Sequence, residues 1–356
     1  MKWSFQIGKL FGIPIRVHVT FLLLLLFIAF AGSKQAGQAG AIFGTISIIL
    51  IFVCVVLHEI GHSLVAVHYG IKVKDIVLLP IGGVSRMEDI PEEPKKEIAI
   101  SVVGPLISLG LAVVFFFIAK ATGQGTGFRQ FSVFQGNVIA TLFWINLILG
   151  LFNLVPAFPM DGGRVLRGLL ATSMDGLRAT KIAVSVGQGF AILLFFFGIF
   201  FNWWLALIAI FIYLGAEGEE RMVMLKTSLG KSSVRVAMIT DVHTVSPDQT
   251  VGEVLENICH GFQQDFPVLE GGELVGILTK EDVFSALHKH EKSALVRDVM
   301  QTDFVTTTED APLSEIFKKM TARRLSVIPV MRGRKLQGLI NLEQIGKYHM
   351  ICQEGQ

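Results

Sequence analysis

The twenty-three residues from Gln35 to Leu57 contain no Asp, Glu, Lys or Arg, and they run straight into His58-Glu59-Ile60-Gly61-His62. An uncharged apolar run of about 20 residues is long enough to cross a bilayer as a helix. Ionisable groups in such a segment are costly and mark function more often than packing. On a helix, side chains four positions apart lie almost above one another, so His58 and His62 share a face with Glu59 beside them. Two imidazoles and one carboxylate suit Zn2+ with a position left for water, whose pKa the ion lowers. The same pattern also occurs in helices whose histidines make only ordinary hydrogen bonds. A third ligand decides between the two.

Only 17% of the 356 residues are charged and 52% are hydrophobic, where soluble domains carry about 25% charged residues. The chain reads as a membrane protein for much of its length. A net charge of +2, with no basic run interleaved with aromatics, gives no argument for a nucleic-acid partner. The three cysteines, Cys54, Cys259 and Cys352, lack the paired spacing of a disulfide framework or a cysteine metal site. Cys54 stands one turn before His58, where it either faces the site or packs as a small core residue.

The uncharged segments predict six spans. The first lies between Arg16 and Lys34, with the polar leader before it too long for a signal peptide. His18 at its start is read as structural. The second runs from Gln35 to about Tyr69-Gly70, and the third from Ile98 to Ala119. The fourth falls within Gln130 to Met160, and two more, joined by a turn at Asn202-Trp203-Trp204, fill Ile182 to Ala216. Between the second and third, Ile76 to Val84 is apolar and β-prone but too short to span. It is expected to form a re-entrant or interfacial β-hairpin beside a cavity, because non-helical backbone at membrane depth needs protein or water to satisfy it. Ile81, Gly82, Gly83 and Val84 are its candidate substrate-binding residues, pairing with an extended chain by strand addition.

The fourth span ends in Asn153-Leu154-Val155-Pro156-Ala157-Phe158-Pro159-Met160-Asp161-Gly162-Gly163. Prolines and glycines break the helix there, and Asp161 on the irregular backbone is the candidate third ligand. Asn146 is read as glue between helices, and Asn153 as a donor to the scissile carbonyl or its oxyanion. Twelve Lys and Arg lie on one set of loops and three on the other, which places both termini in the cytosol. His58, His62 and Asp161 then reach the same depth, near the cytosolic end of the membrane.

After Glu217 the composition becomes ordinary, and a repeat appears with an offset of 62 residues: Val234-Arg235 and Met238 match Val296-Arg297 and Met300, and Phe266-Pro267-Val268 matches Ile328-Pro329-Val330. Each copy reads as short strands and two helices. The expected architecture is a polytopic α-helical membrane protein with a re-entrant β-hairpin, followed by an α/β tandem module. The boundaries are 1–220 for the membrane domain, 221–233 for a linker, and 234–290 and 291–356 for the two repeats.

On the motifs His58-Glu59-Ile60-Gly61-His62 and Asn153 to Gly163, the first 220 residues resemble the site-2 proteases, intramembrane zinc metalloproteases. The resemblance implies a six-helix core, Zn2+ on His58, His62 and Asp161, Glu59 as base, Asn153 as a substrate contact, and a transmembrane protein as substrate. The repeats resemble cystathionine-β-synthase (CBS) domains. In the first copy, Gly276-Ile277-Leu278-Thr279-Lys280-Glu281-Asp282 fits the motif in which Thr279 meets a phosphate and Asp282 a ribose of ATP, ADP or AMP. In the second, Asn341 and Gln344 replace them. CBS pairs also serve as purely structural or dimerising modules, so a homodimer is a further expectation. The competing reading is a CBS-regulated divalent-metal transporter. Such a transporter is expected to carry inverted repeats with paired broken helices, which the sequence lacks, and it has no use for Glu59 beside its ligands.

Overall fold

The computed structural model describes residues 3–87, 93–127, 133–134, 137–230, 232–260, 263–288 and 292–354. It divides into two compact units, residues 1–221 and 222–356.

The first unit opens with strands rather than a featureless leader: β1 (Ser4–Leu10) and β2 (Ile13–His18) form a hairpin. Its two turn residues, Phe11 and Gly12, both have positive φ, the geometry that matches the twist of a two-residue hairpin. The signal for β2 was the period-2 alternation of Ile13, Ile15 and Val17, all buried. His18 then caps the next helix by accepting from Thr20 N–H, a structural role. The helical run α1 (Val19–His68) is broken at Ala36–Gly37, where Gly37 takes a φ of 63°. The backbones of Gly32 and Gly40 lie in contact across the break, so no Cβ fits at either. Residues eight apart on one straight helix would be about 12 Å apart, so the chain doubles back here.

Strands β3 (Val73–Leu79) and β4 (Gly82–Met87) form the hairpin expected around 76–84, longer at both ends. The sequence reading missed its companions. β2 pairs with β3 in parallel, giving a four-stranded sheet in the order β1-β2-β3-β4 with β4 at one edge. Ile13, Ile15, Val17, Ile76 and Leu78 pack on Phe21, Phe52, Val56 and Ile60 of α1, which seats the sheet against the helix that carries His58 and His62. Across the sheet, Arg86 clasps the buried Asp75 through both carboxylate oxygens.

α2 (Pro94–Ala121) and α3 (Val138–Asn153) follow. α3 starts under an Asn137 cap whose side chain accepts from Ile139 N–H and Ala140 N–H. The helix breaks within 153–163 as expected, but the expectation of Asp161 on irregular backbone is corrected. α3 stops at Asn153, and a separate helix α4 (Asp161–Ala171) begins at Asp161 itself. The glycines permit this, because a Cβ at Gly162 or Gly163 would collide with the backbone of residues 154–158. α5 (Gly176–Phe201) and α6 (Trp203–Gly230) are two helices joined at Asn202. α6 continues through most of the segment expected to be a linker. α1, α2 and α5 are long and apolar enough to cross a membrane, and α3 is a shorter apolar helix.

The second unit follows the repeat. Its first copy has α7 (Val251–His260), β5 (Phe266–Glu270), β6 (Glu273–Leu278) and α8 (Lys280–His288). The second has α9 (Val296–Val299), α10 (Leu313–Arg323), β7 (Val327–Arg332), β8 (Lys335–Asn341) and α11 (Leu342–Glu354). The copies exchange edges: Ile239 bridges Leu339 of β8, and Gln301 bridges Ile277 of β6, the same pairing displaced by the repeat offset.

Candidate metal centre

His58 and His62 project from α1 where it is most enclosed, exposed by only 4% and 7%. Asp161 enters from the first turn of α4. Its Oδ2 lies 3.3 Å from His58 Nε2 and 3.2 Å from His62 Nε2, and the two Nε2 atoms are 3.1 Å apart. A tetrahedral site with metal–ligand bonds of about 2.0–2.1 Å has ligand–ligand edges of about 3.3 Å, so the donor set fits Zn2+.

The outer partners say which lone pairs are free. His62 Nδ1 donates to the carbonyl of Ile100 at 2.7 Å, and a carbonyl only accepts, so the neutral ring carries its lone pair on Nε2. His58 Nδ1 lies 2.9 Å from the hydroxyl of the fully buried Ser108. Both partners belong to α2 and fix the two rings in the manner of metal-ligating histidines. Lone pairs on Nε2 and Oδ2 thus converge where a cation resolves their repulsion. Space for the rings is made by Gly104, where a Cβ would overlap the His62 imidazole. Neither Ser108 nor Ile100 was legible in the sequence, since each contacts its histidine only through tertiary packing.

Glu59 stands beside this cluster and lines a cavity of about 380 Å³ together with His62, Asp161, Arg164 and the β4 residues Gly83, Val84 and Ser85. Ser85 N–H donates to Glu59 Oε2 at 3.2 Å. Of the four residues expected to touch substrate, Gly83 and Val84 line this cavity. Gly82 and Ile81 belong to the turn end of the hairpin, where Ile81 is 85% exposed. Asn153 does not line the cavity; it sits at the end of α3 with Nδ2 donating to Leu149 O at 3.0 Å. Cys54 turns to α3, where its thiol faces Asn146. Arg164, one turn along α4 from Asp161, went unremarked as a site residue in the sequence.

α4 is tied to its neighbours by an ion-pair cluster. Arg167 of α4 pairs with the buried Glu97 of α2, donating from Nε at 2.7 Å, and reaches Glu219 of α6 at 3.6 Å. In the second unit, Thr279 and Asp282 form a closed loop at the start of α8: Thr279 N–H and hydroxyl donate to Asp282 Oδ2 at 3.1 and 2.6 Å, and Gln301 donates to the same oxygen at 2.9 Å. Nearby, burial pushes the Asp265 carboxyl above the usual range, partly offset by the N–H of Lys280 and the side chain of Ser326.

Residues 46–194 match peptidase family M50, and residues 232–289 and 296–348 match the CBS domain. Zinc metalloprotease MJ0392 of Methanocaldococcus jannaschii is 37% identical over 346 residues, covering 97% of this chain and 96% of that protein. The chain belongs to peptidase family M50. It is a site-2-type metallopeptidase, a hydrolase of a membrane-embedded family, with two CBS domains behind it. Stage IV sporulation protein FB of Bacillus subtilis is 24% identical over 251 residues, covering 67% of this chain and 83% of that protein. Among solved structures, a site-2 protease from Methanocaldococcus jannaschii is 40% identical, covers 61% of this chain and 95% of that chain, and superposes with a TM-score of 0.45. Membership in this M50 family, with Glu59 lining the cavity beside the ligands, sets the transporter reading aside.

Proposed function

We propose that this M50 protein is an intramembrane zinc endopeptidase that cleaves transmembrane segments of other membrane proteins. The observation that carries the reading is the convergence of three unspent donor atoms, 3.1–3.3 Å apart, beside a carboxylate-lined cavity. His58, His62 and Asp161 hold the ion. Bound there, Zn2+ supplies Lewis acidity and brings the pKa of water toward neutrality.

The protein's own groups do the rest. Glu59 takes the proton from the attacking water and returns it to the departing nitrogen. Asn153 stands outside the cavity at the end of α3, and the proposed role is that its second amide hydrogen, beyond the one given to Leu149, turns to the carbonyl oxygen when a substrate is bound. A helical substrate keeps its peptide groups hydrogen-bonded, so it must unwind before cleavage. The β4 edge, with Ile81 to Val84 at its turn end, receives the extended form by strand addition.

The proposed topology has six spans with the hairpin re-entrant and both termini cytosolic, so that water reaches the site from the nearer face. The protease domain occupies 1–220 and the CBS domains 234–290 and 291–356, with Thr279 and Asp282 binding an adenine nucleotide that modulates access and the pair supporting a homodimer. The test is a membrane-proteome comparison of the native host carrying wild type or Glu59→Gln. Fragments cut within transmembrane segments are expected to be lost in the variant, and identical fragment sets would overturn the reading.

A further inference from the structure

The contact between β4 and α1 involves more than Glu59. One turn after Glu59, Ser63 is fully buried, and its hydroxyl donates to the carbonyl of Glu59 at 2.8 Å. The Ser63 Oγ also lies 2.8 Å from the Ser85 hydroxyl. Ser63 has one proton, and it is committed to Glu59, so Ser85 is the donor of the second bond. The backbone N–H of Ser85 meanwhile goes to Glu59 Oε2. Backbone groups along an antiparallel strand point alternately toward the partner and away from it; an N–H given to Glu59 therefore lies on the side of β4 away from β3. Gly83, two residues earlier on the same face, leaves no room for a side chain: a Cβ there would lie 2.7 Å from Glu59 Cγ.

We infer that Ser63 and Ser85 are positioning residues, a hydroxyl pair that bolts the β4 edge to the catalytic helix and so sets the Glu59 carboxylate between the strand and the metal ligands. The inference rests on Glu59 being the general base. Ser85 serves the base twice, through its side chain to the helix and through its N–H to the carboxylate. Neither serine touches the scissile bond. Their effect passes through the orientation of Glu59, so turnover is sensitive to them while the backbone edge that receives substrate stays intact.

The test uses the full chain, reconstituted in liposomes, with a quenched fluorogenic Lys-flanked Leu/Ala peptide of about 20 residues carrying a central Asn-Gly helix break. Ser63→Ala and Ser85→Ala are each expected to lower kcat about tenfold, the loss of roughly one hydrogen bond, with KM and zinc content within twofold of wild type. The double variant is expected to be no worse than either single one, because the two groups act as a pair, and Ser85→Thr restores the rate. Hydrogen exchange of the Ser85 amide, which donates to Glu59 Oε2, supplies a readout independent of turnover: both alanine variants lose protection there while Gly82 to Val84 stay as in wild type, and Ser85→Thr keeps it. Full kcat and unchanged exchange in both alanine variants, or losses that add in the double variant, overturn the pair's role. Glu59→Gln in the same assay separates the failures. If it is inactive while the serine variants are not, only the pair is refuted; if it retains the wild-type rate, the base assignment falls and the inference with it.

Discussion

The two units each carry a small polar cluster, and they differ in whether its hydrogen-bonding capacity is already spent. At Thr279–Asp282 the hydroxyl, the amide and the carboxylate satisfy one another, with Gln301 added. At His58–His62–Asp161 the outer nitrogens are engaged by Ser108 and Ile100, while Nε2, Nε2 and Oδ2 face inward with their lone pairs unused. Buried polar atoms need partners, and the three inward atoms of the second arrangement have only one another, at 3.1–3.3 Å, a spacing that suits a shared cation. The first is stable as it stands, and any ligand there must displace internal bonds. A polar cluster built for a ligand is therefore recognised by the lone pairs it leaves over more than by the residues it contains.

The contrast can be broken most forcefully at the metal ligands. His58→Ala, His62→Ala or Asp161→Ala is expected to reduce zinc from one ion per chain to a trace, measured by mass spectrometry of the purified membrane protein, and to abolish cleavage. Retention of a full ion in all three would refute the donor set. Next comes the ion pair that ties α4 to α2. Arg167→Ala leaves the buried Glu97 carboxylate without its ion-pair partner, and is expected to cost about 3 kcal/mol in the unfolding of the membrane unit. Arg221→Ala, which breaks an exposed pair with Glu217, should cost under about 1 kcal/mol.

Gly83→Ala tests the crowding at Glu59. Its methyl must displace the base, and turnover is expected to fall about tenfold with the zinc content unchanged. The smallest effect belongs to the satisfied cluster. Asp282→Ala should weaken adenine-nucleotide binding, read by isothermal titration, while basal cleavage of a short peptide changes by less than about twofold, because the loop there has nothing left over for chemistry in the other unit.

The parts of the molecule that were legible in the sequence are those governed by local rules. His58 and His62 share a face because of helical periodicity, the hairpin around Ile76–Val84 announces itself by length and β-propensity, and the repeat exposes the tandem module. Asp161 stood out as a candidate third ligand because its carboxylate stood alone at the end of an apolar run, and the structure brings it to His58 and His62. What stayed hidden depends on tertiary contact. Ser108, Ile100, Ser63 and Ser85 are ordinary residues until two helices and a strand are brought together. The start of α4 at Asp161 turned on two glycines whose lack of side chains matters only against the backbone of residues 154–158. The hairpin of β1 and β2 carries only a short signal, the alternation of Ile13, Ile15 and Val17, because β1 is largely exposed and lacks a buried face.

In the proposed reaction Glu59 acts as the base for an ion held by His58, His62 and Asp161, on a substrate drawn from a membrane. Purified wild-type and Glu59→Gln protein, reconstituted in liposomes at equal zinc content, test it with the same transmembrane peptide and mass spectrometry of the products. Wild type is expected to cut within the apolar stretch, and Glu59→Gln to bind the ion with turnover reduced about a thousandfold. Cleavage by the variant at the wild-type rate would contradict Glu59 as the base.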